Sequence, residues 1–554
     1  MSLLSKRWDL KEPVSAQDLA QYPDLPPLVV QLLYNRDIRE PASVDEFLNG
    51  KDAGANPFLM KGVNEAVSRL RRAIRMGEQI AVYGDFDTDG VTATALLVQT
   101  LSALGARVEP YIPHRVDEGY GLNLGSLRKL YSKGIRLVVT VDCGIRSVDE
   151  VADASKGLDL IITDHHTIGD DLPPAVAVID PKQEDCPYPF KELAGVGIAY
   201  KLAQALLRVQ GSMGSPGGLA EEELLDLVAL GTVADLAPLV GENRSLVRRG
   251  LEALREPQRP GILALMADAG LRRGEVDATA IGFRLGPRLN AAGRIDSAML
   301  AYDLLTSMDP LETKALANEL GKLNQRRQEL TQQTADAALA QIRAEDPLPR
   351  LVMAASKDFQ PGVVGLAASR LIETFYRPSV VVELGEKESR ASCRSIPEFD
   401  ITKALDQCED LLVRHGGHRA AAGFTVRNEQ LDELRHCLQR IAAEKLAGKE
   451  LKPVLEIDVD LPLEEIDWET HAHLSQMEPC GMENPQPMLL SCGVDVVDRR
   501  PIGKEQKHLK LALRDQKGRA WDAIFFGQGE KSGEVASPID VVYRLEINEW
   551  NHRK

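Results

Sequence analysis

The stretch Ile80-Ala81-Val82-Tyr83-Gly84-Asp85-Phe86-Asp87-Thr88-Asp89-Gly90-Val91-Thr92-Ala93-Thr94 sets the frame for the whole chain. Its first four residues are an apolar run of the kind that forms a parallel strand buried on both faces. The run breaks at Gly84 into three carboxylates at alternate positions, Asp85, Asp87 and Asp89. Gly90 then turns the chain into a helix expected to begin near Thr92. Ligands of α/β sheets bind at the carboxyl ends of strands, where these acids lie. Like charge massed there is costly unless a cation neutralises it. An acidic surface turn is the plain alternative, since Asp and Gly are ordinary turn residues. The rest of the chain decides between the two.

Upstream, residues 64–76 carry Ala66, Val67, Leu70, Ala73 and Ile74 on one helical face. Downstream, strand and helix patterns alternate: strand 108–112, helix 126–131, strand 137–141, helix 148–154, strand 160–163. Such βαβ alternation means a parallel sheet covered by helices on both faces. Two of these strands end in chemically active side chains. The run Leu137-Val138-Val139-Thr140-Val141 delivers Asp142, and Leu160-Ile161-Ile162-Thr163 delivers Asp164-His165-His166. An apolar helix over 224–230 leads to Gly231-Thr232-Val233-Ala234-Asp235. Brought round one crevice, Asp85, Asp87, Asp142, His165 and Asp235 make an oxygen-rich set with one imidazole. That set suits Mn²⁺ or Mg²⁺ better than zinc, which favours tetrahedral sites richer in His and Cys. Four carboxylates exceed the need of one ion, so two ions about 3.5–4 Å apart, bridged by Asp142, are expected. Such pairs activate a water and stabilise in-line displacement at phosphorus.

At 554 residues the chain is too long for a single core. Residues 1–50 read as a helical preface with Pro26, Pro27 and Pro41, and 51–308 as the module just described. A long polar helix over 309–346 opens on Asp309-Pro310-Leu311-Glu312, a capping box, and reads as a bridge between domains. A second α/β module spans 347–450. It contains Gly362-Val363-Val364-Gly365 before a helix, Ser392-Cys393-Arg394-Ser395, and Gly416-Gly417-His418-Arg419-Ala420-Ala421-Ala422-Gly423. From 451 to 554 short alternating strands suggest a small barrel.

The net charge of −17 sits awkwardly with nucleic-acid binding, although binding is decided by the local field in a groove. Arg244, Arg248, Arg249, Arg255, Arg259, Arg272, Arg273, Arg284, Arg288 and Arg294 are concentrated in one region, most of them, Arg288 set apart, expected on a solvated helix face. There is no signal-peptide h-region and no apolar run of membrane-spanning length. The seven cysteines are odd in number and lack a C-x-x-C pair. That pattern favours reduced thiols in a cytoplasm over zinc or a disulfide framework.

The blocks G-D-F-D-T-D-G (84–90), V-D-C-G (141–144), D-H-H (164–166) and G-T-V-A-D (231–235) resemble the four motifs of the DHH phosphoesterase superfamily. Adding G-P-R-L-N-A-A-G-R (286–294), G-G-H-R-A-A-A-G-F (416–424) and C-G-M-E-N-P-Q-P (480–487) narrows the resemblance to the RecJ family of single-strand-specific DNA exonucleases. It spans nearly the whole chain in the right order. The resemblance implies an α/β multidomain protein: a parallel-sheet DHH catalytic domain, a bridging helix, a DHHA1-like second α/β domain and an OB-like barrel. It implies a 5′→3′ exonuclease of DNA recombination and repair that releases 5′-mononucleotides with two Mn²⁺ or Mg²⁺ ions. Asp85, Asp87, Asp142, His165 and Asp235 match the family's metal ligands. Asp164 would orient from behind them, and His166 would contact the scissile phosphate. Asp89 belongs to the motif but is not assigned as a ligand. Arg288 matches the arginine that steadies that phosphate, with Asn290 nearby. Arg115, Ser392 and Arg394 match positions that hold the 5′-terminal phosphate, and His418 faces the substrate. DNA affinity would come from a local basic track between the two α/β modules, assisted by the barrel. The implied partners are single-stranded DNA, a single-strand-binding protein and a helicase, with the enzyme a cytoplasmic monomer off the membrane.

Two departures from the family pattern stand out. Cys480-Gly481 and Glu483-Asn484-Pro485 replace Phe-Gly and Gly-Asn-Pro, which places Glu483 near the barrel's DNA track. Residues 548–554 stand where relatives continue into another strand, so an incompletely closed barrel is expected. Two other functions compete: a DHH enzyme acting on small phosphates such as pyrophosphate, cyclic dinucleotides or very short oligonucleotides, and a catalytically silent single-strand-binding module. A small substrate needs no extended track, and a silent module has no use for a costly acid cluster.

Overall fold

The computed structural model describes residues 6–50, 54–114, 118, 119, 121–211 and 218–548. The chain forms two units. The first holds Glu40–Arg327 with Glu478–Gln486; the second holds Met1–Arg39, Gln328–Met477 and Pro487–Lys554. The opening segment is not wholly helical. Its first strand, β1 (Arg7–Leu10), pairs in parallel with Val454–Ile457 of the same unit. Asn35 and Arg36, at the end of the helix Pro27–Tyr34, bond Asp458 beside that strand.

In the first unit five parallel strands, β2 (Gln79–Gly84), β3 (Arg107–Tyr111), β4 (Leu137–Val141), β5 (Asp159–Thr163) and β6 (Ala177–Ile179), are ordered β3-β2-β4-β5-β6. The alternation of β2 explains its continuous apolar run. Ile80 and Val82 enter the core beneath the helices Val63–Met76, Thr88–Ala103 and Gly195–Gly211, while Ala81 and Tyr83 enter the opposite core with Leu127, Leu130 and Val151. The strand order reverses between β2 and β4, which opens a crevice at their carboxyl ends. Asp85 and Asp142 follow those two strands.

The helix expected near Thr92 starts earlier, at Thr88. Asp87 is its N-cap, its side chain accepting from the Gly90 N–H at 3.1 Å. Thr92, Thr94 and Thr100 are fully buried and return their hydroxyls to carbonyls of the preceding turn, so the helix is covered all round without unmet polar groups.

Arg244 departs from the solvated face expected of it. It is 3% exposed on the helix Gly241–Arg255, its guanidinium 3.8 Å from the Phe47 ring centroid. It donates to the carbonyls of Phe47 (3.2 Å), Pro479 (3.2 Å) and Glu478 (2.7 Å). The Leu239 N–H adds a bond to the Met482 carbonyl at 2.8 Å. The motif around Glu483, expected along a barrel surface, is therefore part of the first unit.

The helix Pro310–Arg343 runs for 34 residues, about 51 Å at about 1.5 Å per residue. Asp309 accepts from the Leu311 N–H as expected of the cap, but Glu312 takes the Ser307 hydroxyl instead of closing a box. Its N-terminal half gives Ala317 and Leu320 to the first unit's core, and its C-terminal half gives Ala335, Ala338, Leu339 and Ile342 to a core of the second.

The second unit contains a sheet of β7 (Val352–Ser356), β8 (Ser379–Glu383), β9 (Glu388–Arg394), β10 (Leu412–His418) and β11 (Ala421–Arg427), ordered β10-β11-β9-β8-β7 and parallel only between β7 and β8. Beyond it come β12 (Val454–Ile457), β13 (Val459–Asp460), β14 (Leu489–Ile502), β15 (His508–Arg514), β16 (Ala520–Phe525) and β17 (Ile539–Tyr543). The long β14 pairs β17 along its first half and β15 along its second, with an irregularity in each ladder. Such bulges let one strand turn a barrel corner. Among the described residues β16 pairs only with β15 and β17 only with β14, so this sheet is open. No described helix is long and apolar enough to cross a membrane.

Because charge-assisted bonds are worth about 1.5–3 kcal/mol each, Arg244→Ala should cost the first unit at least about 3 kcal/mol. Amide exchange should speed up first around Glu478–Gln486. Unchanged urea stability with unchanged exchange there would remove this arginine from the account of the unit.

Candidate metal centre

The carboxyl ends of β2, β4 and β5 bring Asp85, Asp87, Asp142, Asp164, His165 and His166 together, and Asp235 joins them from the C-terminus of the helix Leu225–Ala234. Asp142 is the hub. Its carboxylate falls within two groups with ligand spacing, one with Asp85 and Asp87 and one with His165 and His166; Asp89, His165 and Asp235 form a third. Asp142 sits at φ 62, a left-handed conformation that a residue with a Cβ seldom adopts. It is held there with β4 behind it and the helix Gly195–Gly211 against it: a Cβ on Gly195 would lie 2.6 Å from Asp142 Cβ and 2.8 Å from its Oδ1.

His165 Nε2 lies 3.0 Å from Asp142 Oδ1 and 3.9 Å from both Asp89 Oδ2 and Asp235 Oδ2. The 3.0 Å approach is neither an ion pair nor a hydrogen bond. Burial, with the neighbouring His166 charge, pushes His165 down to about 3, so its ring is neutral. His165 Nε2 and Asp142 Oδ1 are both buried with no hydrogen-bond partner. Buried polar atoms are rarely left so, and a neutral imidazole nitrogen facing carboxylate oxygens is the donor set a hard divalent cation takes. The residues fit the metal they were read to hold.

Asp164 is 1% exposed and fully engaged. Its Oδ1 accepts from the His165 N–H, the His166 N–H and His166 Nδ1 at 2.7 Å, and its Oδ2 from the Ile145 N–H. Burial opposes charge on His166, but the bond to Asp164 and the surrounding carboxylates outweigh it and hold the imidazolium up to about 9. The opposite holds for the acids. Burial and mutual repulsion raise Asp142 well above the carboxylate range, Asp89 to about 7 and Asp235 to about 9.

Asp89 has a task that the sequence did not disclose. Lying in the first turn of the helix Thr88–Ala103, it accepts from the Gly195 and Val196 N–H groups at 2.7 and 2.8 Å. It thereby caps the start of a second helix whose glycine faces Asp142. The run Leu193-Ala194-Gly195-Val196-Gly197 was the available signal. Also missed were Asp180, at the end of β6 with a buried unbonded Oδ2, and Lys182, whose ammonium donates to the His165 carbonyl at 2.6 Å.

The remaining expected residues lie elsewhere or turn aside. The guanidinium of Arg288 is held by Asp268 (Nε to Oδ2, 2.8 Å) and by the Arg284 carbonyl. Asn290 Oδ1 accepts from the Thr88 N–H at 2.8 Å, bracing the acid-bearing turn. In the second unit Arg394 donates to Ser392 Oγ (3.2 Å) and the Cys393 carbonyl, rather than pairing with Glu398, which receives Tyr376. His418 ends β10, and Arg115 lies outside the described residues.

The class of the protein follows from the first unit: the DHH family, N-terminal domain, matches residues 79–232. The DHHA1 domain matches 348–444 and the RecJ OB domain 457–554. The single-stranded-DNA-specific exonuclease RecJ of Bacillus subtilis is 40% identical over 99% of this chain and 69% of its own length; that of Escherichia coli is 36% identical over 95% and 94%. The crystal structure of RecJ in complex with Mn²⁺ from Thermus thermophilus superposes with a TM-score of 0.83 at 30% identity, covering 99% of this chain and 78% of that one. The chain belongs to the RecJ family.

The raised carboxyls give a signed prediction. In the metal-free fold they keep protons that the unfolded chain, with carboxyls near about 4, has lost. The stability they contribute at low pH therefore fades as pH rises through about 7 (Asp89) and about 9 (Asp235). A divalent cation replaces those protons. The rise in melting temperature on adding Mn²⁺ should grow from pH 5 to pH 9, with proton release seen by calorimetry in two buffers. A gain that is flat with pH would refute this picture of the site.

Proposed function

We propose that this chain is a metal-dependent exonuclease that degrades single-stranded DNA from the 5′ end and releases 5′-mononucleotides in recombination and repair. The observation that carries this reading is the convergence of Asp85, Asp87, Asp142, His165 and Asp235 at one crevice. In a family whose relatives are named for this activity, these five residues would hold two Mn²⁺ or Mg²⁺ ions. When bound, such ions supply an activated water and charge stabilisation at the phosphorus.

The chain's own residues do the rest. Asp164 fixes the ring of His166, whose cationic form can donate to a phosphate oxygen. Asp142, held in its left-handed turn, keeps its carboxylate between the other acids and His165. Arg288 and Asn290 would steady the phosphate once Arg288 exchanges Asp268 for it. Ser392 and Arg394 form a second phosphate site. The supporting observation is a cradle at the start of the helix Val364–Phe375, where a Cβ on Gly365 would lie 3.0 Å from Ser392 Oγ and 3.1 Å from Arg394 Nη2. Burial works against the charge on Arg394, a cost that a bound anion would offset. His418 would face the strand. A held 5′ phosphate restricts the register in which a strand is presented, and such positioning is worth several powers of ten in rate. The domain boundaries at 50, 308, 346 and 450, recruitment through a single-strand-binding protein and a helicase, a monomeric state and a cytoplasmic location belong to the same proposal and rest on the family.

Labelled single strands with Mn²⁺ test it. Asp142→Ala should retain the fold and lose hydrolysis by at least about a thousandfold, the scale on which catalytic positioning and charge stabilisation act. Near-normal activity in that variant, or in EDTA, would reject the metal site. Arg394→Ala should slow 5′-phosphorylated strands far more than 5′-hydroxyl strands with metal binding unchanged. Equal slowing of both would reject the phosphate anchor.

A further inference from the structure

Two cysteines of the second unit meet where no activity needs them. Cys408 follows the helix Ile401–Asp406 and is buried; Cys437 lies on the helix Leu431–Lys445 and is half-buried. Cys408 belongs to an apolar core that includes Leu405, Leu434 and Leu438, and Cys437 packs against it. Their sulfurs are 2.7 Å apart, although 29 positions separate them in sequence. A disulfide bond is about 2.05 Å long, so roughly two-thirds of an ångström separates the thiol pair from a covalent link. Cys437 is the approachable member, and the exposed guanidinium of Arg440 donates to its sulfur at 3.8 Å. Cys408, by contrast, is pushed up to about 12 by burial and by its bond to Cys437. Among the described residues no third His, Cys, Asp or Glu joins the two sulfurs in a group with ligand spacing, which leaves a metal without a site there.

We propose that Cys408 and Cys437 are a reversible disulfide site, oxidised by a peroxide. The Cys437 sulfur attacks hydrogen peroxide; an S–O bond forms, the O–O bond breaks, and the departing hydroxide takes the thiol proton to leave as water. Cys408 then attacks that sulfur as its thiolate, having given up its proton, and the S–O bond breaks to release a second water. Two thiols and one peroxide thus give one disulfide and two waters, and an added dithiol reverses the change. The bridge would close a loop containing the β10–β11 hairpin, including His415 and His418. It rests on the second unit alone and is independent of the nuclease reading.

The test uses the full chain, exposed to graded hydrogen peroxide, alkylated and digested with trypsin. The peptides Ala404–Arg414 and His436–Arg440 should be recovered joined, lighter by two hydrogens than their sum, before any other cysteine reacts, and dithiothreitol should separate them. Wild-type protein should melt at a higher temperature when oxidised than when reduced, because the link constrains the unfolded chain. Cys437→Ser, which keeps Cys408 in its core, should give no joined peptide and no peroxide-dependent shift. Recovery of both peptides as free thiols after other cysteines have reacted, or of Cys437 as a sulfinic acid without the cross-link, would overturn the proposal.

Discussion

The mutual repulsion of Asp85, Asp87, Asp142 and Asp235 is the constraint under which the first unit is assembled. Separate strand and helix ends deliver the acids, so no single loop bears the crowding, and the rigid sheet keeps them from moving apart. The surroundings carry the strain: Asp142 adopts a left-handed backbone, Gly195 yields the space that a side chain would fill, and Asp89 turns a redundant charge into a cap for the helix behind. His166 and Lys182 supply positive charge at the margin. An arrangement so expensive when empty is sustained by what it binds.

Much of this was legible in the sequence because the relevant signals are local. Apolar runs of four or five residues, each ending in an acid or in Asp-His-His, announced both the parallel sheet and the edge at which its chemistry lies. What escaped was decided by distant partners. Asp89 looked like a loop residue because the start of its helix depends on the Asp87 cap, and its own role depends on N–H groups more than a hundred positions away. Arg244 stands at a polar position of an amphipathic helix, and nothing nearby reveals that three carbonyls from Phe47 and the 478–479 turn await it. Likewise Arg7-Trp8-Asp9-Leu10 is too short and too polar to declare itself a strand; only β12 makes it one.

The same reasoning separates the two phosphate-binding proposals. Near the metal ligands, Arg288 is already satisfied by Asp268. Around Ser392 and Arg394 the guanidinium is largely enclosed and, among the described residues, has hydroxyl and carbonyl acceptors but no carboxylate on it. A half-buried cation without a carboxylate is the stronger invitation to an anion.

The pairing of β1 with β12 also bears on how the molecule comes into being. Roughly 450 residues separate Arg7 from its partner Val454, which at about 5–20 residues per second takes the ribosome about 20–90 s to produce. Throughout that interval the first unit's main segment can be completed, while the earliest strand, Trp8 included, waits with its backbone unpaired. A segment made long after β1 is thus what secures it. A nascent chain stalled before residue 454 would present an open strand edge for a chaperone or another chain to seize.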